Sequence, residues 1–123
     1  MAIHNILIVD DSPTERYYLT DILVRNGFSV TTAVNGEEAL AQIKANKPEL
    51  ILMDVVMPGA NGFQVTRSIA RDPELANVPI IICSSKNQET DRIWGLRQGA
   101  RGYLVKPVDA QALLDKIATL GAA

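Results

Sequence analysis

The sequence predicts an α/β domain in which strands and helices alternate and a parallel sheet is covered on both faces. Strand-like apolar runs alternate with helix-like stretches five times along the chain. Two of these runs, Ile6-Leu7-Ile8-Val9 and Leu50-Ile51-Leu52-Met53, are apolar at every position, as strands buried on both sides must be. Both stop at carboxylates, the first at Asp10 and Asp11 and the second at Asp54, so they deliver acids to the rim of the sheet, where open α/β folds place their ligand sites.

Taken in order, the first strand is expected over about 5–9 and the first helix over about 13–26. Ser12-Pro13-Thr14-Glu15 combines an N-cap serine, a proline at the first helical position and a glutamate placed to complete a capping box. Leu19, Ile22 and Leu23 form the buried stripe of that helix, and Gly27 ends it. The second strand and helix fall at about 28–33 and 36–46, the third pair at about 50–53 and 62–71. Between the third pair, the proline and glycines of Val55-Val56-Met57-Pro58-Gly59-Ala60-Asn61-Gly62 fix a tight turn. The fourth pair is expected at about 78–83 and 87–98, the fifth at about 101–105 and 109–120. Asp109 caps the last helix, which turns Leu113, Leu114 and Ile117 inward. No repeat, low-complexity stretch or linker interrupts this (βα)5 pattern. The 123 residues read as one domain over 1–123, with nothing left over for an output domain.

Three carboxylates meeting in one cleft repel one another unless a cation joins them, and an all-oxygen set suits a hard ion such as Mg²⁺. Phosphoryl transfer needs positioning and charge neutralisation more than covalent help, so a metal held by neighbouring acids, together with a lysine, suffices for a carboxylate nucleophile. Lys106, at the end of the fifth strand and just before Pro107, is the natural lysine. A cis Lys106-Pro107 bond would aim its ammonium back over the strand ends, and only X-Pro bonds adopt cis cheaply. Ser84, at the end of the fourth strand, adds a hydroxyl to the same rim. The pattern reads as a metal-assisted phosphoryl acceptor.

Composition narrows the classes. With 12 basic and 14 acidic residues mixed along the chain and a formal net charge of -2, there is no basic stripe for nucleic acid and no polybasic tail for a membrane surface. Met1-Ala2-Ile3-His4-Asn5 runs straight into a strand, without the basic and apolar regions of a leader, and no window approaches ~18 apolar residues. A cytoplasmic protein is expected. Cys83 is the single cysteine and sits inside Ile80-Ile81-Ile82-Cys83, which assigns it a buried apolar role and excludes a disulfide framework. His4 reads as an ordinary surface residue.

Several motifs together resemble the receiver domain of two-component response regulators, and the resemblance covers essentially the whole chain. It rests on Val9-Asp10-Asp11-Ser12, on Met53-Asp54-Val55-Val56-Met57-Pro58 with Asn61-Gly62, on Cys83-Ser84-Ser85-Lys86, and on Gly99-Ala100 followed by Tyr103-Leu104-Val105-Lys106-Pro107-Val108. The resemblance implies a flavodoxin-like, doubly wound sheet with strand order 2-1-3-4-5. It implies that Asp54 is the phosphoacceptor for a histidine kinase, and that Asp10, Asp11, Asp54 and the backbone carbonyl of Val56 hold Mg²⁺. Ser84 is implied as the switch hydroxyl that bonds the new phosphoryl oxygen, Lys106 as the lysine that pairs with it, and Tyr103 as the aromatic that follows the hydroxyl. The protein would then be no enzyme toward outside substrates, but a phosphoacceptor that catalyses its own phosphorylation and dephosphorylation. The signal would leave through a face made of the fourth helix, fifth strand and fifth helix, as a monomer or a phosphorylation-dependent dimer.

Within this family the chain is most similar to stand-alone regulators of the chemotaxis kind, and among them to those of type IV pilus twitching motility. The residues concerned are Ser12-Pro13-Thr14-Glu15, Lys86-Asn87-Gln88-Glu89-Thr90-Asp91 with Trp94, and Gln98-Gly99-Ala100-Arg101. That narrower likeness implies a chemotaxis-type histidine kinase as donor; a flagellar regulator or a phosphate sink are the neighbouring readings. Trp94 with Gln88, Glu89, Asp91, Arg92 and Arg97 makes the fourth helix a candidate recognition face, against the plainer reading of Trp94 as packing. Val56 places an apolar side chain where an amide or acid would orient an attacking water, so slow loss of the phosphoryl group is expected.

Three other classes fit these residues less well. A flavodoxin needs a hydroxyl- and glycine-rich phosphate loop after the first strand, whereas Asp10-Asp11 repels phosphate. An aspartate-nucleophile phosphatase wants two acids separated by one residue there, and position 12 is serine. A phosphorylation-independent binding module would have no need of Asp54, Ser84 and Lys106 together.

Overall fold

A chain segment that is apolar on both faces buries both, and this governs the architecture of the computed structural model, which describes residues 3–121; Met1 and Ala2 of the amino-terminal stretch lie outside the described residues. The elements follow the order β1 (Asn5–Val9), α1 (Pro13–Arg25), β2 (Ser29–Ala33), α2 (Gly36–Ala45), β3 (Leu50–Met53), α3 (Gly62–Arg71), β4 (Ile80–Ser84), α4 (Glu89–Arg97), β5 (Gly102–Val105) and α5 (Ala110–Gly121). All strand pairs are parallel, and the sheet order is β2-β1-β3-β4-β5.

Alternation along the inner strands divides the core in two. Leu7, Val9, Ile51 and Met53 point to one side and pack with Ala39 and Ile43 of α2 and Val65 and Ile69 of α3. Ile6, Ile8, Leu50 and Leu52 point to the other and pack with Leu19 and Leu23 of α1 and Leu113 and Ile117 of α5. The edge strand β2 instead exposes Ser29 and Thr31 and buries only Ala33 fully. Because β1 is flanked by β2 and β3, the direction in which successive strands are added reverses there, and the carboxyl ends of β1 and β3 border a crevice. Among the described residues, no helix is long and apolar enough to cross a membrane.

Boundaries shift where local chemistry intervenes. β4 starts at Ile80 because the Val78 amide closes a turn on the Leu75 carbonyl at 2.9 Å and Pro79 has no amide to offer. It runs on to Ser84, which pairs with Val105. The capping box expected at α1 forms only by half. The Ser12 hydroxyl accepts the Glu15 amide at 3.3 Å, but the Ser12 amide donates to Asp10 Oδ1 at 2.9 Å, leaving Glu15 Oε1 buried without a partner. Asp10 wins because an aspartate readily bonds the amide two residues on. A complete box forms at α3, where Asn61 and Gln64 exchange bonds of 2.9 and 3.0 Å. On α5, Asp109 caps the Ala112 amide as expected, but Leu114 stays half-buried and Leu120 packs on the core in its place.

Candidate functional site

Asp10 and Asp54 extend the ladder by one residue beyond their strands. The Asp10 amide donates to the Ala33 carbonyl at 3.0 Å, and the Asp54 amide to the Val9 carbonyl at 2.9 Å. The two side chains therefore enter the crevice from fixed backbone, 2% and 7% exposed, while Asp11 beside them is exposed. One carboxylate oxygen from each of Asp10, Asp11 and Asp54 lies within 4.8 Å of the others.

Lys106 reaches the same crevice from the end of β5. Its amide donates to the Ser84 carbonyl at 2.8 Å, the Lys106-Pro107 bond is cis, and its ammonium donates to Asp10 Oδ2 at 2.8 Å and Asp54 Oδ1 at 3.0 Å. Ser84 is 1% exposed, and its hydroxyl accepts from the Lys86 amide at 3.1 Å. The Tyr103 hydroxyl donates to the Lys86 carbonyl at 2.8 Å, so Ser84 and Tyr103 hold the two ends of one peptide-bearing residue. Val56 stands on the rim with its side chain 60% exposed.

Electrostatics favour an added cation. Burial pushes the Asp54 carboxyl above its ordinary value, and the hydrogen bond from Lys106 only partly offsets this. Burial works against the Lys106 charge, but its hydrogen bonds to Asp10 and Asp54 outweigh that and its pKa is raised. With every group ionised, three carboxylates face one ammonium, an excess of two negative charges. A divalent ion with oxygen preference fits both the charge and the donor set, and exposed Asp11 leaves it a way in. Cys83, buried beneath the site, has its thiol pushed up to about 12 by burial, which rules out thiolate chemistry.

The sequence reading identified Asp10, Asp11, Asp54, Ser84 and Lys106, and the fold brings them to one crevice; Tyr103 joins through Lys86. Trp94 lies elsewhere, between α3 and α4. His4 is exposed just before β1, at the opposite end of that strand from the acids. One residue was missed. Arg16 donates from Nη1 to the Asp10 carbonyl at 2.8 Å and so pins the backbone of the buried acid. The available signal was its position in the second turn of a helix that opens three residues after Asp10.

An α/β domain with acids at the switch point and a lysine opposite them defines a class, and comparison with known proteins identifies it. Residues 6–118 match the response regulator receiver domain, and the chain belongs to that family. It is 54% identical to Protein PilH of Pseudomonas aeruginosa over 112 residues, 91% of this chain and 93% of the relative. It is 38% identical to Chemotaxis protein CheY of Bacillus subtilis, covering 93% of this chain and 94% of that protein. In several other curated relatives the matching region makes up half of the length or less. Among solved structures, a putative response regulator from Chloroflexus aurantiacus superposes with a TM-score of 0.94 at 33% identity, over 98% of this chain and 99% of that one.

Proposed function

We propose that this receiver accepts a phosphoryl group on Asp54 from a chemotaxis-type histidine kinase, with Mg²⁺ held by Asp10, Asp11, Asp54 and the Val56 carbonyl. The observation that carries this reading is the buried Asp54 carboxylate, 3.0 Å from the Lys106 ammonium and clustered with two further acids. An Asp54 oxygen attacks phosphorus, the P–N bond to the donor imidazole breaks, and the electron pair leaves on that nitrogen, which is then protonated. Bound Mg²⁺ supplies neutralisation of charge on the transferring oxygens. Lys106 binds a phosphoryl oxygen, and the Ser84 hydroxyl donates to another. Because the Ser84 hydroxyl and the Tyr103 hydroxyl both hold Lys86, drawing Ser84 inward bears on the loop before α4 and hence on the face formed by α4, β5 and α5. The protein turns over no outside substrate and catalyses only its own phosphorylation and dephosphorylation. The likeness to PilH supports an output in pilus or chemotaxis-like control through a protein partner.

Intact mass after incubation with acetyl phosphate tests the chemistry. The expected result is one added phosphoryl group that requires Mg²⁺ and is lost in Asp54→Ala. If neither acetyl phosphate nor a phosphorylated histidine kinase adds it, the chain is a constitutive binding module.

The exposed apolar Val56 leaves the attacking water unoriented, so the aspartyl phosphate is long-lived. Val56→Asn should shorten its lifetime by about tenfold, equivalent to about 1.4 kcal/mol of barrier. Decay of the phosphorylated mass with time reads this directly, and an unchanged lifetime would refute it.

A further inference from the structure

Away from the aspartyl site, the turn that follows α4 closes on the last turn of α3. Gly99, with φ +113°, sits so close to Ala70 that a Cβ on it would lie 2.5 Å from the alanine side chain. Above this close approach opens a cleft of about 360 Å³ lined by Arg67 and Arg71 from α3 and by Trp94, Arg97 and Gln98 from α4 and its cap.

Arg67 and Arg71 are four residues apart and share a helix face, as do Trp94 and Arg97, three apart. Three arginines, all of them exposed, thus line one small cleft in a chain whose net charge is -2. Among the described residues, the ion pairs and side-chain hydrogen bonds involve other groups, and none engages Arg67, Arg71 or Arg97. Arg71 and Arg97 stand in last helical turns, where a cation offsets the helix dipole. Dipole compensation does not account for Arg67, a turn earlier, nor for an indole left 50% exposed beside the arginines. The cleft is at the lower end of the size range of small-molecule sites. Guanidinium forks match phosphate oxygens, and an indole face accepts a flat heteroaromatic ring.

We propose that this cleft binds a phosphorylated nucleotide, with its base stacked on Trp94 and its phosphates held by Arg67, Arg71 and Arg97. The lining shares no residue with the aspartyl site, so binding requires neither Mg²⁺ nor Asp54.

Trp94 is the single tryptophan, so selective indole excitation of the full chain reports on this cleft alone. In Mg²⁺-free buffer, titration with ATP, GTP and a cyclic dinucleotide should give saturable quenching by at least one of them in the micromolar range. Pyrophosphate, followed by calorimetry, should bind at least about tenfold more weakly, the difference being the stacked base. Arg67→Gln with Arg71→Gln should weaken nucleotide binding by about tenfold or more, while the unfolding temperature falls only by the small loss of dipole compensation at Arg71. Should that double variant unfold, Arg97→Gln on the other helix gives the same reading. Absence of saturable quenching at millimolar nucleotide overturns the proposal. So does quenching that survives the arginine replacements, or pyrophosphate binding as tight as that of the nucleotide. A glutamate-rich peptide that quenches Trp94 where nucleotides do not would likewise overturn it, in favour of a protein partner.

Discussion

Lys106→Met lowers the urea midpoint in the absence of Mg²⁺, recovers much of the loss when Mg²⁺ is added, and cuts phosphoryl uptake by about a hundredfold. The ammonium donates to Asp10 and Asp54 at 2.8 and 3.0 Å, and both acceptors are almost wholly buried. Removing one partner of a buried charge cluster costs about 3–5 kcal/mol. The lower end applies here, because exposed Asp11 keeps one side of the crevice open and a carboxyl can take up a proton instead of remaining charged. The pH dependence separates the contributions. Asp54 has its native pKa raised from the ordinary 3.8 by burial, so its protonation favours the folded state. That stability is full below the unfolded value and is lost as pH rises through the native one. Without the lysine the native value climbs further above the ordinary 3.8, and the variant should lose stability over a wider span of pH above that value than the parent does. Lys106 itself has a native pKa above 10.5, so its contribution is complete at neutral pH and disappears as pH rises through that native value. The parent should therefore show an alkaline loss that the variant lacks. Urea unfolding across pH, with and without Mg²⁺, checks all of this; equal midpoints at pH 7 without Mg²⁺ would show that the acids do not need the ammonium.

What could be read from residues alone tracks how local the cause is. β1 and β3 were legible because each is apolar at every position and ends at an acid, and the same acids announced the site. Lys106 was legible from its place before Pro107, and Ser84 from the end of an apolar run. The strand order has no local signature, since any parallel arrangement would bury these runs; it entered through family resemblance. The start of β4 depended on the turn from Leu75 to Val78, and the failed capping box on a choice the Ser12 amide makes between Asp10 and Glu15. Leu114 and Leu120, roughly 120° apart around α5, flank its buried stripe on either side, and only docking on the sheet decides that Leu120 meets the core. Arg16 was missed because its role is to a backbone carbonyl, which no side-chain pattern marks. Of the arginine cleft only the wall of Trp94 and Arg97 was legible, because Arg67 and Arg71 come from a separate helix that meets it only in the fold.

Gly62→Ala is expected to be among the most damaging single-methyl changes in the chain, although the residue starts a helix, where alanine is ordinarily favoured. A Cβ at Gly62 would overlap the backbone carbonyl oxygen of Asp54 and come within 2.8 Å of its carbonyl carbon and 2.9 Å of the Val55 Cα. These are backbone atoms of the proposed phosphoacceptor and its neighbour, so no rotamer change relieves the clash. The Gly62 amide also donates to the Val55 carbonyl at 2.8 Å, a bond that folds the loop from Val55 to Asn61 back over the strand end. Overpacking of this kind costs about 3 kcal/mol. Relief by retreat of α3 breaks the Gly62 to Val55 bond. Relief by displacement of Asp54 lengthens its bond to Lys106 and spoils the alignment that phosphoryl transfer depends on. Gly59→Ala is the control: Gly59 has φ +79° and open space around its would-be Cβ, so it should lose only about 1 kcal/mol of stability, for a left-handed alanine, and keep the site intact. Urea unfolding of both variants, with acetyl phosphate uptake at a denaturant-free pH 7, resolves the two modes of relief. A Gly62→Ala protein as stable and as readily phosphorylated as the parent would mean that the approach of α3 to Asp54 does not constrain the site.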